Sequence, residues 1–243
     1  MKPQNPIKNL STGLFTYGLL FAAFHIAPAF LIYEIRDKLM LADLFDLFTP
    51  LVMTAAVLWL IFYCKPPEDR ALSPLVKGLL FLGAVLFVEG HGIHLSANAI
   101  HRHLVSNMPP ALLRLTYFFD EQLGHILWDS GNILLALAIL LRHFRQARAL
   151  NFPDYLLLLS GGAFYGFTYF VNSVEGQTTP FTLPYIALFC LVLLHYRRRK
   201  KWRLGENGAP LFFLAAAAVA LIFYLIWYLI QGGLPEFSAV GWI

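Results

Sequence analysis

The chain has 243 residues, of which 58% are hydrophobic and only 13% charged, and its mean hydropathy is +0.63. A soluble domain carries about 25% charged residues, so a water-soluble globular protein is excluded. The pI of about 9.1 and net charge of +4 would suggest nucleic acid in a soluble chain, but here the basic residues sit between apolar runs, where they report orientation in a membrane, and no nucleic-acid partner is expected.

Apolar runs of about 20 residues, each long enough to cross a hydrocarbon core of roughly 30 Å, recur along the whole length. They predict an all-α integral membrane protein, a single seven-transmembrane-helix bundle covering 1–243, with spans near 13–35, 44–64, 75–100, 116–141, 153–175, 180–197 and 210–231. The run from Leu14 to Ile35 is too long for the core of a secretory signal and is taken as the first span. Pro66, Pro67, Pro109, Pro110, Pro153, Pro180, Pro210 and Pro235 fall at or near these ends, as helix punctuation should. Cys64 and Cys190 are the two cysteines, and they offer neither a disulfide framework nor a thiolate metal motif.

Orientation follows from the basic residues. With the N-terminus in the cytoplasm, fourteen Lys and Arg side chains fall inside, including the run from Arg197 to Arg203, and four fall outside: Arg36, Lys38, Arg102 and Arg114. That bias predicts N-terminus in, C-terminus out.

The third and fourth spans carry side chains that a bilayer core tolerates poorly. The third reads VEGHGIHLSANAIHRH from Val88 and the fourth FFDEQLGHILWDSGN from Phe118. On a helix advancing about 100° per residue, His91, His94, Asn98 and His101 share one face, and so do Glu121, His125, Asp129 and Asn132. The fifth span adds Tyr165, Thr168, Asn172 and Glu175 on one face. Because the three spans alternate in direction, all these stripes lie in the outer half of the bilayer. Ionisable groups inside a membrane usually face the bundle interior and carry a function, so a shared pocket is expected.

Imidazole with carboxylate suits a transition metal, zinc foremost, with iron or copper also compatible. His91, His94, His125 and Asp129 are the expected ligands, spaced i, i+3 on one helix and i, i+4 on the next. Glu121 and Glu175 are ranked by helical phase as acid–base residues. Glu89, Asn98, His101, Asp120, Trp128, Asn132, Tyr165 and Asn172 are expected to orient the ligands or wall the pocket.

Seven spans with embedded histidines and acids resemble, in architecture, the seven-pass zinc hydrolases of the alkaline ceramidase and adiponectin-receptor type. Those proteins also draw histidines from the last span, whereas the stretch from Leu211 to Leu229 holds no histidine or acid. No residue role is carried over.

The leading expectation is therefore a metalloenzyme, hydrolase or non-haem oxidoreductase, acting on a lipid or apolar substrate at the outer side of a plasma or bacterial inner membrane. A metal-ion or proton transporter or sensor is the alternative, and a haem electron carrier ligated by His94 and His125 the second. Membrane lipids are the expected surroundings, and the oligomeric state is open. The tail GGLPEFSAVGWI leaves the membrane on the same outer side, in position to cover the pocket with Glu236 near its mouth and Trp242 at the interface.

Overall fold

The computed structural model describes residues 8–31, 33–36, 39–64, 71–144, 149–200 and 204–242. Pro66 and Pro67, Lys38 and the Arg145–Arg148 stretch lie outside the described residues.

Each apolar run becomes a helix. They are α1 (Lys8–Ile26), α2 (Leu41–Tyr63), α3 (Pro74–Leu104), α4 (Pro110–Tyr117), α5 (His125–His143), α6 (Phe152–Glu175), α7 (Thr179–Lys200) and α8 (Gly208–Gln231). The ends are set by local chemistry. Ser73 Oγ accepts the Val76 amide ahead of Pro74, and Asn151 and Asp154 exchange side-chain and backbone bonds of 2.9 and 3.1 Å across the first turn of α6, the reciprocal cap such residues are suited to. Pro28 stops α1 early, so the predicted first span ends in a 3-10 turn at Ala27–Phe30.

Two features depart from the sequence expectation. The link between α1 and α2 contains a short antiparallel hairpin, Glu34–Arg36 against Leu39–Met40. The fourth span is three consecutive pieces, α4, a π-helical stretch Phe118–Gly124, and α5. A π turn is wider than an α turn and so shifts the phase of every side chain around it.

The pieces form seven rods. The most extensive packing is α3 on α5, α6 on α8 and α1 on α6. At one end, here called proximal, His143 Nε2 lies 3.1 Å from Leu60 O and Arg142 Nε donates to Ile61 O at 3.3 Å. At the distal end, Thr49 Oγ1 donates to Phe24 O at 3.3 Å, and Arg102 of α3 grips Asp43 of α2 with bonds of 2.7 and 3.3 Å. Successive rods therefore alternate in direction, and α1 begins and α8 ends at opposite ends of the bundle.

Close approach of α3 and α5 depends on four glycines in reciprocal register. A Cβ on Gly131 would lie 2.7 Å from Gly83 O and from Phe87 Cα, and one on Gly90 would lie 2.7 Å from Gly124 O and 2.8 Å from Trp128 Cα. Lipid supplies no hydrophobic drive to join helices, so backbone-close contacts through small residues are how such pairs hold.

Five helical stretches are long and apolar enough to cross a membrane: Leu10–Phe30, Leu41–Tyr63, Pro74–Asn107, Pro110–His143 and Gly208–Gln231. Thr179–His195 is a shorter apolar helix. The 24-residue α6 is less apolar because it carries Tyr165, Thr168, Tyr169, Asn172 and Ser173, all buried.

Candidate functional site

The polar stripes do meet in the distal half of the bundle, around an indole. Trp128 of α5 is buried, and its ring lies 4.0 Å from that of His91, 5.0 Å from those of His125 and His25, and 5.8 Å from that of His94. His94 and His125 meet edge to face with centroids 4.8 Å apart. His94 Nδ1 lies 2.8 Å from Asp120 Oδ1, and His125 Nε2 lies 3.6 Å from Glu121 Oε2. Gly176, the first residue beyond α6, is so close to the His125 ring that a Cβ there would overlap it.

The structure does not gather His91, His94, His125 and Asp129, expected as a metal-ligand set, around one point. The Trp128 indole occupies the space a common ion would need. His91 turns toward His25 and Phe87. Asp129 faces the start of α7, where it accepts a short hydrogen bond from Thr178 Oγ1. Among the described residues no group of three or more His, Cys, Asp or Glu side chains is placed to hold a metal ion. A haem between His94 and His125 has no room, since the two rings are in contact.

The remaining expected residues separate. Asp120, ranked below Glu121 by α-helical phase, is the buried acid and the partner of His94; Glu121 is more exposed, with 26% of its side chain accessible against 6% for Asp120. The π-helical turn makes the difference, because the ranking assumed 100° per residue through Phe118–Gly124. Glu89 is exposed on the outside of α3. Asn98 is half-buried, and His101 lines a separate distal crevice with Arg114, Tyr117 and Gln122. Asn172 is buried, with its amide nitrogen unpartnered among the described residues.

Glu175, expected as an acid–base residue, is engaged with the tail. Beyond α8 the chain reverses through Gly232, which takes a left-handed backbone (φ 68°) that glycine adopts without strain. Glu175 Oε2 then accepts the Phe237 and Ser238 amides at 2.8 and 3.3 Å. Trp227 Nε1 donates to Pro235 O at 3.0 Å, Tyr117 OH donates to Glu236 Oε1 at 3.2 Å, and the rings of Phe237 and Trp242 pack on Trp227 at 4.6 and 4.8 Å. The tail thus folds over the distal end of α6 and α8.

Below this level a second network begins. Tyr165 OH donates to Asn132 Oδ1 at 3.1 Å, and Tyr17 OH approaches the same oxygen at 3.5 Å, linking α1, α5 and α6. Tyr165 and Tyr169 stack with centroids 6.2 Å apart, and both border a crevice between α5, α6, α7 and α8. Its empty volume is about 410 Å³, part of it open to the outside, and its other walls include Ile133, Tyr185, Phe189, Phe213 and Ala217. The hydroxyls of Tyr169 and Tyr185 are buried without a hydrogen-bond partner among the described residues, an arrangement that costs about 1–3 kcal/mol for each group. The α7 rod packs more sparsely than the others and does so against α6 and α8, which is why the crevice exists.

Sequence reasoning left His25, Thr178 and Tyr185 out of the site. His25 carried a usable signal: it lies near the distal end of a span running in the same direction as α3, at the depth of the stripes. Thr178 lies between two helices and Tyr185 in an apolar run, and neither carried one.

Fold and site together define a helical integral membrane protein with an internal polar cluster at one end and an apolar crevice beside it. The sequence pattern of the family described as ceroid-lipofuscinosis neuronal protein 6 matches residues 84–232, more than half the chain, and the protein belongs to that family. It is 26% identical over 183 residues to ceroid-lipofuscinosis neuronal protein 6 of Homo sapiens, covering 65% of this chain and 56% of the human protein. It is 26% identical over 176 residues to the homolog of Canis lupus familiaris, covering 63% and 55%. The match thus spans a little over half the length of these relatives. No solved structure matches the chain.

Family membership, with the absence of a ligand cluster among the described residues, overturns the expectation of a membrane metalloenzyme. The transport and haem alternatives rested on the same residues and are withdrawn with it. What holds is the coarser statement that this is an integral membrane protein of helical architecture.

Proposed function

We propose that this protein binds a lipid or other apolar molecule within the membrane, in the crevice between α5, α6, α7 and α8. The observation that carries the reading is that crevice: its walls are almost wholly apolar, as ligand sites for apolar molecules are, and it is bordered by a sparsely packed helix. A diazirine-bearing alkane photolysed in membranes containing the protein is expected to label residues of α7 and α8 that line the crevice, such as Ile186, Phe189 and Phe213. Ala217→Trp, which fills the space from α8, is expected to reduce that labelling about tenfold, corresponding to about 1.4 kcal/mol of binding. Undiminished labelling in the filled variant would remove the reading.

We further propose seven crossings with the N-terminus cytoplasmic and the distal end, with its folded tail, on the opposite side. Support comes from the alternating direction of the seven rods and from the Lys and Arg distribution of fourteen against four. A glycosylation acceptor fused after Ile243 is expected to be modified in a eukaryotic host, while one placed in the 197–203 run is not. Modification of both, or of the 197–203 site alone, would overturn the orientation.

A further inference from the structure

The crevice has a polar feature that an apolar ligand alone does not explain. Tyr169 and Tyr185 line it from opposite helices, and both hydroxyls are buried donors with no acceptor among the described residues. The neighbouring Tyr165 hydroxyl is already used by Asn132, and that of Tyr224 by Ser173. Two free donors in an otherwise apolar space call for an acceptor oxygen supplied by the occupant.

Depth narrows the chemistry. Tyr169 stands six residues before Glu175, where α6 ends, and Tyr185 six residues after Thr179, where α7 begins. At 1.5 Å per residue both lie roughly 9 Å below the distal helix ends. A 24-residue helix such as α6 is about 36 Å long and overlaps a hydrocarbon core of roughly 30 Å. Centred on that core, it sets the Cα atoms of the two tyrosines about 6 Å inside the hydrocarbon boundary. Ester or amide linkages of acyl lipids lie near that boundary, with their chains running toward the bilayer centre. The crevice runs the same way, from Ala220 down α8 to Phe213, about 10 Å at 1.5 Å per residue. Its deeper walls are Ile133, Ala136, Phe189 and Phe213.

Resting on the crevice reading above, we infer that the occupant is an acyl lipid whose linkage carbonyl accepts hydrogen bonds from Tyr169 and Tyr185 while one acyl chain lies along the apolar walls below. Free apolar molecules and ether-linked lipids lack that acceptor and leave both hydroxyls unpaired.

Ester-linked and ether-linked phosphatidylcholines, each bearing a diazirine at the same chain position, test this on the full chain in nanodiscs, with adducts mapped by mass spectrometry. The ester lipid is expected to label the crevice severalfold more than the ether lipid. Tyr169→Phe with Tyr185→Phe is expected to bring the ratio to one without lowering the thermal midpoint. Equal labelling by the two lipids in the native protein, or a preference that survives the double substitution, would overturn the inference. Ala217→Trp separates the two levels of the argument. If it abolishes labelling by both lipids while their native ratio is one, the crevice binds apolar chains without carbonyl recognition. If it abolishes neither, the crevice is not the site.

Discussion

Gly131→Leu is expected to be among the most damaging single substitutions in this protein. The α3 backbone passes so close to Gly131 that even a Cβ would lie 2.7 Å from Gly83 O and Phe87 Cα. These are backbone atoms of a helix, so relief requires moving α3 as a rod. Overpacking a tight site commonly costs 1–3 kcal/mol, and one that separates two helices belongs at the upper end of single-residue effects, about 4 kcal/mol. For a chain of this size that corresponds to a thermal midpoint lowered by about 8–16 °C in detergent. Gly92 supplies the control: it lies on the same α3, and nothing is within 4 Å of its position. Gly92→Leu is expected to leave the midpoint unchanged or slightly raised, because leucine favours the helix over glycine by roughly 1 kcal/mol. Indistinguishable melting of the two variants would mean that the α3–α5 contact is not as close as described.

The same contact shows what could be read without coordinates. Every one of the seven predicted spans has a helix over it, because apolar runs of membrane length and the prolines at their ends are local signals. That Gly90, Gly92 and Gly124 allow neighbouring helices to approach could be suspected from composition. That Gly90 and Gly124 face one another while Gly92 faces open space could not, since it depends on the rotation of each rod about its axis. Depth was also legible: His91, His94, His125, Tyr165 and Glu175 lie in the same half of the bundle, as alternating direction requires. Chemistry was less so. The histidines were read as ligands because their spacing matched a metal site, but the spacing cannot tell that Trp128, one turn from His125, fills the space among them. The tail was placed at the correct end from topology alone, whereas its attachment through Glu175 and Trp227 needed the fold. Glu175 consequently changes from a candidate acid–base residue to the acceptor of two tail amides.

The acids before α5 lead to the other large expected effect. Asp120→Ala removes the carboxylate oxygen 2.8 Å from His94 Nδ1 and leaves the imidazole without its charged neighbour. Leaving a buried polar nitrogen with no neighbouring acceptor costs about 1–3 kcal/mol. Trp128 and Gly124 pack against His94, so the ring cannot swing to water without opening the α3–α5 contact. Glu121→Ala is expected to cost less than about 1 kcal/mol, because its carboxylate is partly solvated and stands 3.6 Å from His125, in the range where exposed pairs contribute little. Thermal midpoints of the two variants in the same detergent check the order. A regular α-helix through Phe118–Gly124 would turn Glu121 inward and reverse it. Glu121→Ala melting below Asp120→Ala would therefore mean that the π-helical turn is absent, and with it the pairing of His94 to Asp120 that organises the distal end of α3.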